Sequence, residues 1–142
     1  MKFSTREDYG LILAGKLAEK YGEGPISLKE ISKEEKLSFL YLEQLATKLK
    51  KANLIKSKRG AGGGYELALD PKKIKVAEVV KVLEKPVRLV KCDHLSGLKL
   101  YCPRVTKCLT RHLWLYLHQD IMDTLEKISL ADLIKNKFRL HV

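Results

Sequence analysis

Cys92, Cys102 and Cys108 are the only cysteines of the chain, and nine and five residues separate them. Three thiolates in one short loop can hold an iron-sulfur cluster, because soft sulfur ligands suit its irons. Lys91, Arg104, Lys107 and Arg111 stand close in sequence, where they favour deprotonation and offset a cluster's negative charge. Zinc is the rival metal. Its structural sites usually carry a tight Cys-x-x-Cys knuckle, absent here, although three cysteines and one histidine meet its coordination number. The plainest alternative is three small buried hydrophobes. An odd number of cysteines argues against a disulfide framework.

A second chemistry is written between Ser27 and Leu67. Ser38 is placed to cap a helix in which Leu42, Leu45 and Leu49 recur at helical spacing, leaving Phe39, Leu40, Tyr41, Glu43 and Gln44 partly exposed near its start. Residues at the N-terminal end of the second helix of a helix-turn-helix meet base edges in the major groove. Gln44 suits an adenine edge and Glu43 a cytosine amino group. The competing reading makes both ordinary solvated helix residues. From Lys48 to Arg59 the chain carries six basic residues and no acidic one. Arg59-Gly60-Ala61-Gly62-Gly63-Gly64-Tyr65 then joins two alternating segments, Leu54 to Lys58 and Tyr65 to Leu69, as a thin-tipped hairpin. Such a tip brings Arg59, with Gly60 behind it, to a minor groove whose narrow A·T tracts have enhanced negative potential. A phosphate-cradling loop is a poor fit, since no Lys-Ser or Lys-Thr follows the glycines.

The elements that must hold these groups are mostly helical. Ser27 with Glu30 has the spacing of a reciprocal cap for the first helix of the pair, and a break is expected near Lys36 and Leu37. Upstream, a helix is predicted from Thr5 to about Lys20, with Thr5 and Asp8 resembling its cap. Downstream, Lys75 to Leu83 is predicted helical and stopped by Pro86; a longer helix follows from about Thr110 to Ile128, and Ser129 to Ile134 forms a short closing helix before a mobile tail from Lys135. The long helix carries Leu113, Leu117, Ile121, Leu125 and Ile128 on one stripe, with Trp114, Leu115 and Tyr116 beside it. A helix that apolar, outside a complete small domain, suits a second chain. The expected fold is therefore mainly α: a winged helix-turn-helix over residues 1–84, a cysteine-containing loop over 85–109, and a dimerisation helix with its tail over 110–142.

Charge narrows the partners. In 142 residues there are 28 Lys and Arg against 17 Asp and Glu, a net charge of +11, which suits a polyanion. A membrane surface competes, but no segment approaches the roughly 18 consecutive apolar residues that span a bilayer, and no secretory apolar region opens the chain. A cytoplasmic location is the expectation. The four histidines, His94, His112, His118 and His141, sit in no arrangement that suggests a triad, and a nucleophilic cysteine would not explain three, so no enzyme is expected. A small iron-sulfur redox carrier would have no need of the basic hairpin and helix pair.

Taken together, Ser-Phe-Leu-Tyr-Leu-Glu-Gln from Ser38 to Gln44, the wing beginning at Arg59, the three-cysteine loop and Ser-Leu-Ala-Asp-Leu-Ile from Ser129 resemble the Rrf-two family of bacterial transcription regulators across nearly the whole chain. The resemblance implies a homodimer on an operator in double-stranded DNA, with a cluster loop whose state alters DNA binding. In that family's iron-sulfur regulator branch, three Cys and a His three residues after the last of them hold a 2Fe-2S cluster. Here Arg111 occupies that position and the nearest histidine is His112. Asp8-Tyr9-Gly10-Leu11 and Leu89-Val90-Lys91-Cys92 resemble the nitric-oxide-sensitive repressor branch, in which an aspartate at the place of Asp8 completes a 4Fe-4S site from the other subunit. The resemblance therefore implies Cys92, Cys102 and Cys108 with Asp8 as metal ligands, His112 being the alternative. Asp8 also reads as a helix-start carboxylate favoured by the macrodipole. A zinc-stabilised or cluster-free regulator stands beside the cluster-bearing one.

Overall fold

The structure, a computed structural model, describes residues 4–84, 89–90, 102–104 and 106–138. Six helices and one hairpin follow in order: α1 (Thr5–Glu19), α2 (Leu28–Glu35), α3 (Phe39–Lys51), β1 (Ile55–Lys58), β2 (Gly64–Leu67), α4 (Val76–Leu83), α5 (Arg111–Lys127) and α6 (Leu130–Ile134). This is the expected mainly helical winged helix-turn-helix, and its boundaries fall within two residues of the expected ones.

Local chemistry explains most of those boundaries. Ser27 Oγ accepts the Glu30 N–H at 3.2 Å and Ser38 Oγ accepts the Tyr41 N–H at 3.4 Å, so both helices of the pair are hydroxyl-capped. Only that half of the expected Ser27–Glu30 reciprocity forms. α2 ends because Lys36 adopts φ +54°, after which the Leu37 N–H donates back to Ser32 O at 3.1 Å. α3 ends in the same way: Asn53 takes φ +57°, and the Leu54 N–H reaches back to Leu49 O at 3.1 Å. The expected Thr5–Asp8 cap is replaced. Ser4 is the N-cap of α1, its hydroxyl donates to Glu7 at 2.5 Å, and no side chain accepts from the helix's first N–H groups. The bond gives the buried Glu7 carboxylate a donor.

One core serves all of these elements. Leu13 and Leu17 of α1, Ile31 of α2, Leu42, Leu45 and Leu49 of α3, Val79 and Leu83 of α4 and Leu130 of α6 belong to a single buried cluster. α1 is its axle, packing on α3, α4, α6 and β2. Gly10 makes the α1–α4 approach possible, since a Cβ there would collide with the Leu83 side chain. Lys16 fastens α1 to the end of α2, with its ammonium 2.9 Å from Glu35, 3.4 Å from Glu34 and 3.6 Å from Glu19. The Glu35 and Glu34 carboxylates raise its pKa above the ordinary lysine value against the cost of burial.

The wing is an antiparallel pair in the register Ile55↔Leu67 and Lys58↔Gly64. Pairing runs one residue past the strands, where the Ala68 N–H meets Leu54 O at 3.0 Å; an Asp70 side-chain turn onto Lys72 then ends it short of the expected Leu69. Ile26, just before α2, exchanges two backbone bonds of 2.9 Å with Tyr65, which ties the hairpin to the helix pair. Gly64 is required at that seam, because a Cβ would overlap the Ile26 carbonyl and the Ser27 nitrogen, both backbone. Gly64→Ala is therefore expected to break the Ile26–Tyr65 bridge and cost about 1–3 kcal/mol, the range for forced overpacking. Denaturant midpoints check it, and an unchanged midpoint would mean that the seam does not need glycine.

At the other end, the Val76 N–H donates to Ile128 O and the Leu130 N–H to Ile74 O, each at 2.9 Å, so α5 and α6 are pinned where α4 begins. Ser129 and Asp132 cap α6 reciprocally.

Candidate nucleic-acid interface and cysteine segment

Burying Leu42, Leu45, Ala46 and Leu49 turns the opposite side of α3 to solvent. At about 100° per residue, Leu40, Glu43, Gln44, Thr47 and Lys51 fall on that side, with Lys48 at its border; all six are exposed. Tyr41 is only half exposed. Its ring meets Tyr9 of α1 edge to face, 5.9 Å between centroids and 77° between planes. Ser38 stands at the tip of the helix with its oxygen engaged as the cap. Thr47 and Lys51 were not singled out from sequence, although i, i+4 and i, i+7 spacing from Leu40, Glu43 and Gln44 would have found them.

Arg59 and Gly60 lie at the exposed tip of the wing, where Gly60 (φ +99°) and Gly62 (φ +72°) permit a turn closed by the Gly63 N–H on Gly60 O at 3.0 Å. Lys50 Nζ donates to Ser57 Oγ at 2.7 Å and links α3 to β1. This exposed bond adds to the Ile26–Tyr65 bridge and the buried Leu54, Ile55 and Leu67 that seat the wing, and nothing local in the sequence announces it. Among the described residues, Lys48, Lys51, Lys58 and Arg59 have no carboxylate within ion-pair distance, while Lys56 pairs with Glu66 at 3.2 Å. Cations with no close carboxylate are available to an external polyanion.

The cysteine segment is described at Cys102 and Cys108, and Cys92 lies outside the described residues. Both described cysteines are free and half-exposed. The Thr110 hydroxyl, 3.5 Å from Cys108 Sγ, holds that thiol's pKa below its ordinary value, with help from the Thr110 and Arg111 backbone and the charge of Arg104. A thiol biased toward thiolate fits a soft-metal ligand. Arg111 and His112 open α5, and His112 is exposed. Asp8 is exposed on α1 and borders a cleft of about 490 Å³ that Ser4, Glu7, Leu11, Val80 and Leu125 also line. Among the described residues no three His, Cys, Asp or Glu side chains converge on a metal-sized site. The donor types therefore fit a cluster, and a complete ligand set would need Cys92 and a fourth group from elsewhere.

An unexpected pair sits near Asp8. Glu7 is buried, and its carboxylate faces Glu84 at the end of α4, which Arg6 approaches at 3.8 Å. Burial pushes Glu7 upward, but hydrogen bonds from Glu84 and Ser4 outweigh it and hold Glu7 below the usual carboxylate range. The interaction with Glu7 and burial push Glu84 above the usual carboxylate range.

Such a helix pair, wing and basic surface define a DNA-binding regulator of the winged helix-turn-helix class. Residues 3–136 match the family model Rrf2, described as an iron-dependent transcriptional regulator. The chain is 39% identical over 134 residues to the HTH-type transcriptional regulator IscR of Aliivibrio salmonicida, covering 94% of this chain and 77% of that protein. It is 40% identical over 133 residues to the HTH-type transcriptional regulator CymR of Bacillus subtilis, covering 94% of this chain and 89% of that one. The solved structure of CymR, the global cysteine regulator of B. subtilis, superimposes with a TM-score of 0.79 at 38% identity over 96% of this chain and 98% of the other. The chain belongs to the Rrf2 family of transcriptional regulators, whose members bind DNA and are not enzymes. Among the described residues, no helix is long and apolar enough to cross a membrane.

Proposed function

We propose that the chain binds an inverted-repeat operator as a homodimer, setting the start of α3 in the major groove and Arg59 in the flanking minor groove, in the cytoplasm. The observation that carries this reading is the exposed face of α3, bordered by lysines and an arginine with no carboxylate within ion-pair distance among the described residues, beside a wing tied to the helix pair by the Ile26–Tyr65 bridge. Ser38, Leu40, Tyr41, Glu43 and Gln44 form the base-facing end of that face; Lys48, Arg59 and Gly60 meet the backbone and minor groove. Support for the dimer comes from α5, where Met122 is the one buried residue and Leu113 and Tyr116 remain 51% and 64% exposed. Apolar surface left open on a long helix is what a second copy would cover.

The sensing group of this reading is an iron-sulfur cluster on Cys92, Cys102 and Cys108, with Asp8 as fourth ligand and His112 as the alternative. Bound there, a cluster supplies iron that exchanges electrons or is lost to oxidants. The lowered pKa of Cys108 supports thiolate ligation. A second reading, a cluster-free regulator, is favoured by the equal similarity to CymR, described as a global cysteine regulator.

Two half-sites read by a two-fold dimer should lie about one helical turn, or a multiple, apart. Gel filtration is expected to give a dimer, and footprinting an inverted repeat. Affinity should fall with salt at a log–log slope near −0.9 per neutralised phosphate. A monomer at micromolar concentration, or protection that survives scrambling of the protected sequence, would refute the reading.

A further inference from the structure

Leu40 is 68% exposed on a helix whose other leucines are essentially sealed. Single exposed leucines are common on protein surfaces, so exposure alone carries nothing; its position does. Leu40 is the second residue of α3, one turn before Glu43 and Gln44, and helical side chains lean toward the helix N-terminus. That is the end which enters the groove in the proposed function, on which this inference rests.

Several polar atoms near Leu40 are used within the helix. Ser38 Oγ accepts the Tyr41 N–H, the Leu42 N–H donates to Ser38 O at 3.0 Å, and Thr47 Oγ1 donates to Glu43 O at 2.8 Å. The Tyr41 ring is turned against Tyr9. The first turn of α3 thus offers a partner an exposed aliphatic side chain, framed at longer range by Lys48, Lys51 and Arg59, which have no carboxylate within ion-pair distance among the described residues and favour a polyanion. On the floor of the major groove one base alone presents an aliphatic group, the C5 methyl of thymine.

We propose that Leu40 is a specificity-determining residue that packs on a thymine C5 methyl in each half-site. Cytosine at that position lacks the methyl and sets a bare ring edge against the leucine. Glu43 and Gln44 read hydrogen-bonding edges further along the same face, so apolar and polar readout are separated along α3.

The test starts from the full chain and duplexes selected from a randomised pool. In the selected site each thymine is replaced singly by deoxyuridine, which removes only the methyl, and affinity is measured for the wild type, Leu40→Ala and Leu40→Met. One thymine per half-site is expected to lose about three- to five-fold on replacement, the factor for burying one methyl group. Leu40→Ala should bind the thymine operator more weakly and become indifferent to deoxyuridine at that position alone, whereas Leu40→Met should keep the sensitivity. A selected site in which no thymine responds, or a response that persists unchanged in Leu40→Ala, overturns the assignment and leaves DNA binding standing. Failure to enrich any duplex overturns the underlying reading, and the assignment with it.

Discussion

Leu45→Ala is expected to destabilise the protein by about 2–5 kcal/mol, the range for deleting a sealed leucine side chain. Leu45 is 1% exposed and belongs to the cluster that joins α3 to α1 and α2. The loss combines forfeited transfer energy with a cavity that the three closely packed helices cannot fully close. Set against a total stability of about 5–15 kcal/mol, it removes a large fraction of the margin. Operator binding should fall with the folded population rather than through any lost contact. Leu40→Ala, five residues earlier on the same helix, is the internal comparison: its side chain is mostly in water, and a change within about 0.5 kcal/mol is expected. Urea midpoints for the two variants check both figures. Equal midpoints would mean that α3 does not present the buried and exposed faces described.

The same contrast shows what could be read from the sequence. Ser27, Ser38, the leucine spacing of α3 and the glycine run are local signals, each acting over one or two turns of chain, and from them the helix pair and wing were placed correctly. Contacts joining distant segments were not legible. The Ile26–Tyr65 bridge, the Lys50–Ser57 bond and the Glu7–Glu84 pair depend on how elements meet, and periodicity carries no information about that. At the start of α1 two local patterns overlap: Thr5 with Asp8 and Ser4 with Glu7 share one spacing, and the helix uses the second, with Ser4 as its N-cap and the hydroxyl on the buried Glu7 carboxylate. In the candidate site, Glu43 and Gln44 were found because they oppose a clear apolar stripe. Thr47 and Lys51 lie on the same face but carry no base-reading signature of their own. The predicted stop at Pro86, the ligand Cys92 and the tail beyond Phe138 fall outside the described residues.

Cys92→Ala, Cys102→Ala and Cys108→Ala are each expected to abolish a bound cluster, leave the helical core folded and change operator affinity by more than a factor of a few. Cys102 and Cys108 are half-exposed and contribute nothing to the buried cluster, so their loss should barely move the unfolding midpoint. Metal binding to a loop couples ligand energy to loop order, so losing one thiolate is expected to release what the other ligands had fixed. Protein purified without oxygen should carry iron and acid-labile sulfide in the wild type and neither in the three variants. Visible absorption retained in all three would remove the cysteines from the site. The fourth ligand is tested by geometry. Among the described residues Asp8 does not form a three-donor group with Cys102 and Cys108, and the resemblance to the nitric-oxide-sensitive branch makes a carboxylate from the second subunit the expectation. Asp8→Ala is therefore expected to shorten cluster lifetime and His112→Ala to leave it unchanged. A mixed dimer of one Asp8→Ala subunit and one Cys108→Ala subunit separates the routes: ligation across the interface leaves one complete site per dimer, and ligation within a subunit leaves none. Half the wild-type iron in that dimer, with the cluster lost faster from the Asp8→Ala homodimer, is the expected result; iron at background would put Asp8 in its own subunit's site, and an Asp8→Ala homodimer with unchanged absorption, iron content and cluster lifetime would return Asp8 to the role of a helix-start carboxylate.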